Sequence, residues 1–280
     1  MTTAAPARPP SLFIEGPAFW SPALPGWEIA SAVFRGEAAP AETPARRPSP
    51  QMLAPAERRR APDTVALALE VAAAAVAASG RNAADLPCVF ASAHGDLGIN
   101  DYMCATLAND PLLLSPIKFH NSVHNAAVGY WTIGTGCMAA SNSLTAFESS
   151  FASALLEAAA QCAADQRAVL LAGYDMPAVG ALASITASRE MLAVALVLSP
   201  VRTARSLAAF EWSLAAGDEP PTRARSAAAR ALEVNAMADA LPLFEALALG
   251  EPTRTLRLAL SPTLALQLEL QPALQLETES

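Results

Sequence analysis

An α/β fold with a mostly buried sheet follows from three features of the sequence. Residues 88–93, 168–173 and 193–198 are apolar runs without alternation, the pattern of strands covered on both faces. Alanine-rich stretches of helical length, 64–79 and 143–164, separate them. The chain is also long and apolar enough for a large core: 280 residues, 53% hydrophobic and 16% charged. These numbers exclude a disulfide-stapled miniprotein and a mainly disordered chain.

In chain order, residues 12–15 form a short apolar run closed by Gly16-Pro17, a first strand. Residues 27–35 read as a helix ended by Gly36. Residues 37–56 carry five prolines and read as an irregular surface connection. The helix over 64–79 stops at Gly80, since glycine reaches the left-handed cap conformation at no steric cost. Short helices are expected over 102–108 and 125–133, and a long one over 143–164. Two further strands are placed at 193–198 and 207–214, with a polar excursion at 216–235. A helix over 241–249 stops at Gly250, and 256–260 with 264–270 close the chain as a strand pair around Ser261-Pro262.

Composition narrows the function. The net charge is −8, and Lys118 is the one lysine, so broad nucleic-acid binding is not expected. Residues 1–10 have three prolines and no apolar run, unlike a secretory signal. No stretch is long enough for a membrane span. Cys88, Cys104, Cys137 and Cys162 show neither CxxC nor histidine at ligand spacing. Reduced cytoplasmic thiols are expected, with neither a metal nor another cofactor.

Chemistry-bearing residues concentrate in 119–131, which holds His120, Asn121, His124, Asn125, Tyr130 and Trp131. Either histidine could act as a general base, or cap a helix and satisfy buried backbone. Cys137, in Thr135-Gly136-Cys137-Met138, has the surroundings of a thiol nucleophile. Arg58-Arg59-Arg60 is the densest basic run.

Several blocks together resemble one family: Glu57-Arg58-Arg59-Arg60, Phe119-His120-Asn121-Ser122-Val123-His124-Asn125, Gly129-Tyr130-Trp131, Ser150-Phe151-Ala152 and Leu155-Leu156-Glu157-Ala158. It is the short β-ketoacyl synthase N-terminal-domain proteins of aryl-polyene and related pigment clusters, described as chain length factors. The resemblance covers roughly residues 11–270. It implies a thiolase-like, layered α/β/α fold with a shortened C-terminal half. The implied division is a ketosynthase N-terminal-like half over 11–200 and a reduced second half over 201–272, flanked by a disordered 1–10 and a frayed 273–280. It also implies a heterodimer with a ketosynthase, which would bring the acyl carrier protein.

In that family a cysteine sits at a strand-to-helix turn, where the helix N-terminus favours the thiolate. Counting back 21 residues from Ala168 lands on Phe147, in Thr145-Ala146-Phe147. Phenylalanine cannot form a thioester. Cys137 lies ten residues too early, and the three histidines, His94, His120 and His124, all precede Phe147. The leading expectation is a non-catalytic chain-length-factor subunit. Tyr130, Trp131, Met138, Phe147 and Glu148 would then wall a tunnel or interface, and Arg58, Arg59 and Arg60 would meet a carrier protein. The alternatives are an acyltransferase or synthase using Cys137, and a scaffold without a tunnel role.

Overall fold

In the computed structural model the described residues are 11–273. They form one eight-stranded mixed sheet with helices on its faces. The strands are β1 (Leu12–Trp20), β2 (Cys88–Ala91), β3 (Ser141–Leu144), β4 (Val169–Asp175), β5 (Leu192–Ser199), β6 (Ser206–Ala216), β7 (Arg254–Ser261) and β8 (Leu264–Pro272), in the order β3-β2-β4-β5-β1-β6-β8-β7. β2 pairs in parallel with β3 and β4, and β5 runs antiparallel to β4 and β1. Residues after Ser199 add β6, β8 and β7 to the edge of this sheet as antiparallel strands.

The helices are α1 (Trp27–Phe34), α2 (Pro55–Arg60), α3 (Asp63–Ser79), α4 (Leu97–Asn109), α5 (Pro116–His120), α6 (Ala126–Thr135), α7 (Ser150–Asp165), α8 (Ala227–Ala231) and α9 (Leu241–Leu249). Two cores sandwich the sheet. On one face α1, α7 and α9 bury Phe19, Phe34, Phe151 and Phe244 in edge-to-face contacts. On the other face α3 and α6 cover Phe90, Leu170, Ala195 and Val197. α3 is buried on nearly every side, which requires the small residues of its Ala-rich sequence. Over β6–β8 the helices lie on one face only. The alternating Leu-Ala-Leu-Gln-Leu-Glu-Leu-Gln of β8 accordingly buries Leu266, Leu268 and Leu270 and turns Gln267 and Glu269 to the polar face.

Three expectations are corrected. β1 does not stop at Gly16-Pro17 but continues to Trp20 through a bulge between Glu15 and Ala18. A bulge accommodates Pro17, which has no N–H to donate. Gly16 has φ +51°, and a Cβ there would lie 2.2 Å from the Ala75 carbonyl of α3. The expected helix over 143–164 begins at Ser150, because 141–144 pair with β2 as an edge strand and 147–149 form a tight 3-10 turn. The polar 216–235 excursion contains α8, capped by the Ser226 hydroxyl accepting from the Ala229 N–H. The expectations for 1–10 and 274–280 lie outside the described residues, whereas Ala273 is buried.

Candidate functional site

The parallel strands β2, β3 and β4 end together, and a connected polar cluster lies at their C-terminal ends. After Leu144 the chain turns sharply from β3 into α7. The Ala146 N–H donates to the Ser150 hydroxyl at 2.9 Å, and that hydroxyl donates to the Phe147 carbonyl at 2.6 Å. Phe147 stands at the apex with φ +50°, one of two non-glycine residues with positive φ among those described. For a bulky residue this conformation costs about 1–2 kcal/mol. Its ring is 68% exposed, so burial in this chain does not offset that cost.

The loop following β2 closes on this turn. Thr145 donates to the Ala93 carbonyl at 2.7 Å. His124 bridges the two strand ends: Nε2 is 2.9 Å from the Ser92 carbonyl and Nδ1 is 3.0 Å from the Ser143 hydroxyl. A carbonyl can only accept, so Nε2 carries a proton, while the Ser143 hydroxyl lies between Nδ1 and the His124 carbonyl, 3.3 Å away. His94 packs edge-on against the Phe147 ring, with centroids 5.4 Å apart at 78°. Burial, and then the neighbouring His124, hold the His94 pKa below its usual value and favour the neutral ring.

Two carboxyls brace the site. Asp175, at the end of β4, accepts from the hydroxyls of Ser188 at 2.8 Å and Ser92 at 3.3 Å, and burial pushes it up to about 6. Asp239 accepts the Ala152 N–H at 2.9 Å in the first turn of α7, tying residues 238–240 to that helix. Burial pushes this group up to about 8. An open cleft lies between His94, Phe147 and Glu148 on one side and the Ser261-Pro262 turn on the other.

The sequence-expected residues divide among three places. Phe147 and exposed Glu148 are at the turn. Cys137 is at the opposite end of the sheet, before β3, where its thiol donates to the Leu86 carbonyl at 3.3 Å. No ring nitrogen of His124 is available to it, since both engage Ser92 and Ser143. His120 and Tyr130 instead line a groove with Glu57, over α2, α5 and α6. Asn121 is buried and donates to the Ile117 carbonyl, and Asn125 precedes α6 without a side-chain cap bond. Met138 is 95% exposed, whereas Trp131 is 1% exposed against Phe90. Trp131 therefore belongs to the core and presents no surface to a partner. The Arg58 guanidinium is spent within the chain on the Gln51 side chain and the Leu53 carbonyl, which leaves Arg59 and Arg60 exposed.

Sequence reasoning did not find His94, Ser92, Ser143, Asp175 or Asp239 as one cluster. The available signal was the scarcity of histidine, three in the chain, two of which meet here.

Residues 33–261 match the family described as β-ketoacyl synthase, N-terminal domain. No curated protein matches the chain. Among solved structures, it is similar to a chain of the ketosynthase ApeO in complex with its chain length factor ApeC from Xenorhabdus doucetiae. The TM-score is 0.69 at 21% identity, covering 92% of this chain and 99% of that one. The ishigamide ketosynthase/chain length factor gives 0.69 at 14% identity, covering 94% and 99%. The AntDE:AntF complex, an acyl-carrier protein with its ketosynthase, gives 0.74 at 10% identity, covering 95% and 99%. At these identities the likeness is one of fold.

Proposed function

The chain belongs to the β-ketoacyl synthase N-terminal-domain family, and on that premise we propose that it is a non-catalytic chain-length-factor subunit. Its layered sheet is the thiolase-like fold of the condensing enzymes. We read 11–200 as the ketosynthase-like half and 201–272 as a reduced second half seated on the same sheet. In this reading the chain heterodimerises in the cytoplasm with a ketosynthase. The partner condenses malonyl units onto acyl-carrier-protein-bound polyene chains, and this subunit shapes the end of its acyl tunnel.

The observation that carries the reading is Phe147 at the strand-to-helix turn. A condensing enzyme needs a thiol at such a turn, and a phenyl ring has no nucleophile to offer. The ring is held in a strained backbone and left exposed, as expected of a side chain whose contacts are made with another subunit. The outer edge of β3, which has no neighbouring strand among the described residues, supports the same reading. The Cys137 alternative has no comparable support, because its sulfur lies at the other end of the sheet from His94 and His124.

The test is co-purification with a cognate ketosynthase followed by a condensation assay with malonyl-loaded carrier protein. The expected outcome is an inactive isolated chain, an active complex unaffected by Cys137→Ala, and longer products with Phe147→Ala. A wall residue excludes extra methylenes at about 1–3 kcal/mol each, so a shift of one or two elongation units is expected. Condensation by the isolated chain that Cys137→Ala abolishes would overturn the reading. An unchanged product length in Phe147→Ala would leave the scaffold role.

A further inference from the structure

We propose that His94 and His124 are positioning residues that fix the orientation in which the Phe147 ring is presented at the mouth of the turn. The inference rests on the proposed role of that ring as a wall of the partner's tunnel.

Phe147 adopts φ +50° and is 68% exposed, and among the described residues the ring that touches its own is His94. The two rings meet in an edge-to-face arrangement, a directional contact that favours one orientation of an exposed ring. His94 is itself held by the loop that carries it. Its neighbour Gly95 has φ +67°, and a Cβ at Gly95 would lie 3.5 Å from the His124 ring, so the loop is laid directly on His124. His124 locks that loop to β3 through Ser92 on one side and Ser143 on the other. Thr145, two residues before Phe147, adds a bond to the Ala93 carbonyl next to His94. The chain of contacts thus runs from β3 through His124 to the loop, from the loop through His94 to the ring, and back through Thr145 to the same turn. Each link is a directed contact at a strand end. None of them adds to either buried core, which already has its own aromatic residues.

This arrangement gives the two histidines a purpose without proton transfer. Both nitrogens of His124 are engaged, and the Ser143 hydroxyl at its Nδ1 also donates toward the His124 carbonyl at 3.3 Å, so it is tied into the same strand-end contacts. It also separates them from His120, which lines a different groove.

The experiment places a single 4-fluorophenylalanine at position 147 and records its 19F resonance in the ketosynthase complex. The wild-type background should give one resonance displaced from the free amino acid by the imidazole ring current. His94→Ala should return it toward the free value, His94→Phe should retain the displacement, and His124→Leu should broaden or split it. In the condensation assay His94→Ala should shift product length in the same direction as Phe147→Ala. Phe147→Ala/His94→Ala should shift it no further than Phe147→Ala, and His94→Phe should restore the wild-type length. Heterodimer affinity should change less than about threefold in the His94 variants. A resonance unmoved by His94→Ala and His124→Leu overturns the positioning role. A resonance that moves as expected, with product length insensitive to Phe147→Ala, keeps the positioning role and instead rejects the tunnel wall.

Discussion

At the scale of single residues, Asp239 sets a pH dependence that its sequence position does not suggest. Its carboxyl accepts the Ala152 N–H in the first turn of α7, where the helix dipole favours negative charge. Desolvation outweighs that help and raises the group to about 8. A carboxyl raised on folding binds its proton more tightly in the native state. Its contribution is therefore full below its unfolded value, roughly pH 4, and is lost as pH rises through about 8. Asp239→Asn keeps an acceptor for Ala152 and removes the ionisation. The expected result is a Tm difference that grows in favour of the variant between pH 5.5 and 8.5, read by thermal unfolding in matched buffers. For a chain of this size each kcal/mol is worth about 2–4 °C.

At the scale of elements, the contact of β1 with α3 is the tightest constraint. Gly16 permits the bulge and lets the Ala75 carbonyl approach within the space a Cβ would need. Gly16→Ala meets both a positive φ and a backbone clash, and a backbone atom cannot move aside as a side chain can. The expected cost is about 3 kcal/mol or more, seen as a lower Tm or loss of folded protein. The same element shows where sequence reading stops. A Gly-Pro pair reads as an ending, and here it is a bulge inside a nine-residue strand. The four residues of β3 were hidden for the opposite reason. Ser-Asn-Ser-Leu has no apolar run, and its strand character comes from the register with Cys88, Val89, Phe90 and Ala91.

For the whole molecule, the two edges of the sheet differ. The outer edge of β7 is covered by a strap in which the Thr222 N–H donates to the Arg257 carbonyl and the Arg257 N–H to the Thr222 hydroxyl. The outer edge of β3 has no neighbouring strand among the described residues. Unpaired N–H and C=O groups at an edge favour addition of another strand, and a lysine there opposes it. Ser141→Lys, at an exposed position of β3, should weaken association with the ketosynthase at least tenfold while leaving the Tm of the isolated chain within about 2 °C. Titration of the partner and thermal unfolding of the chain alone check the two halves of this expectation.

Much of this architecture is legible in the sequence because burial leaves a pattern. The unbroken apolar runs of β4 and β5 mark strands covered on both faces, and the alternation in β8 marks one covered on a single face. Gly80 and Gly250 end α3 and α9 in the left-handed conformation that glycine alone adopts freely. The placing of Phe147 at the turn came from the spacing of the resembled family, since the apolar pattern alone ran a helix through it. The sequence by itself therefore determined the α/β class and the succession of most elements. Only the tertiary structure decided that the last three strands extend the same sheet. It also placed Cys137 at the far end from the histidines, Trp131 in the core, and His94 and His124 around Phe147. Those facts depend on which distant segments pair and in what register. Such contacts are stabilised by burial across the sheet and leave no periodicity in the local sequence.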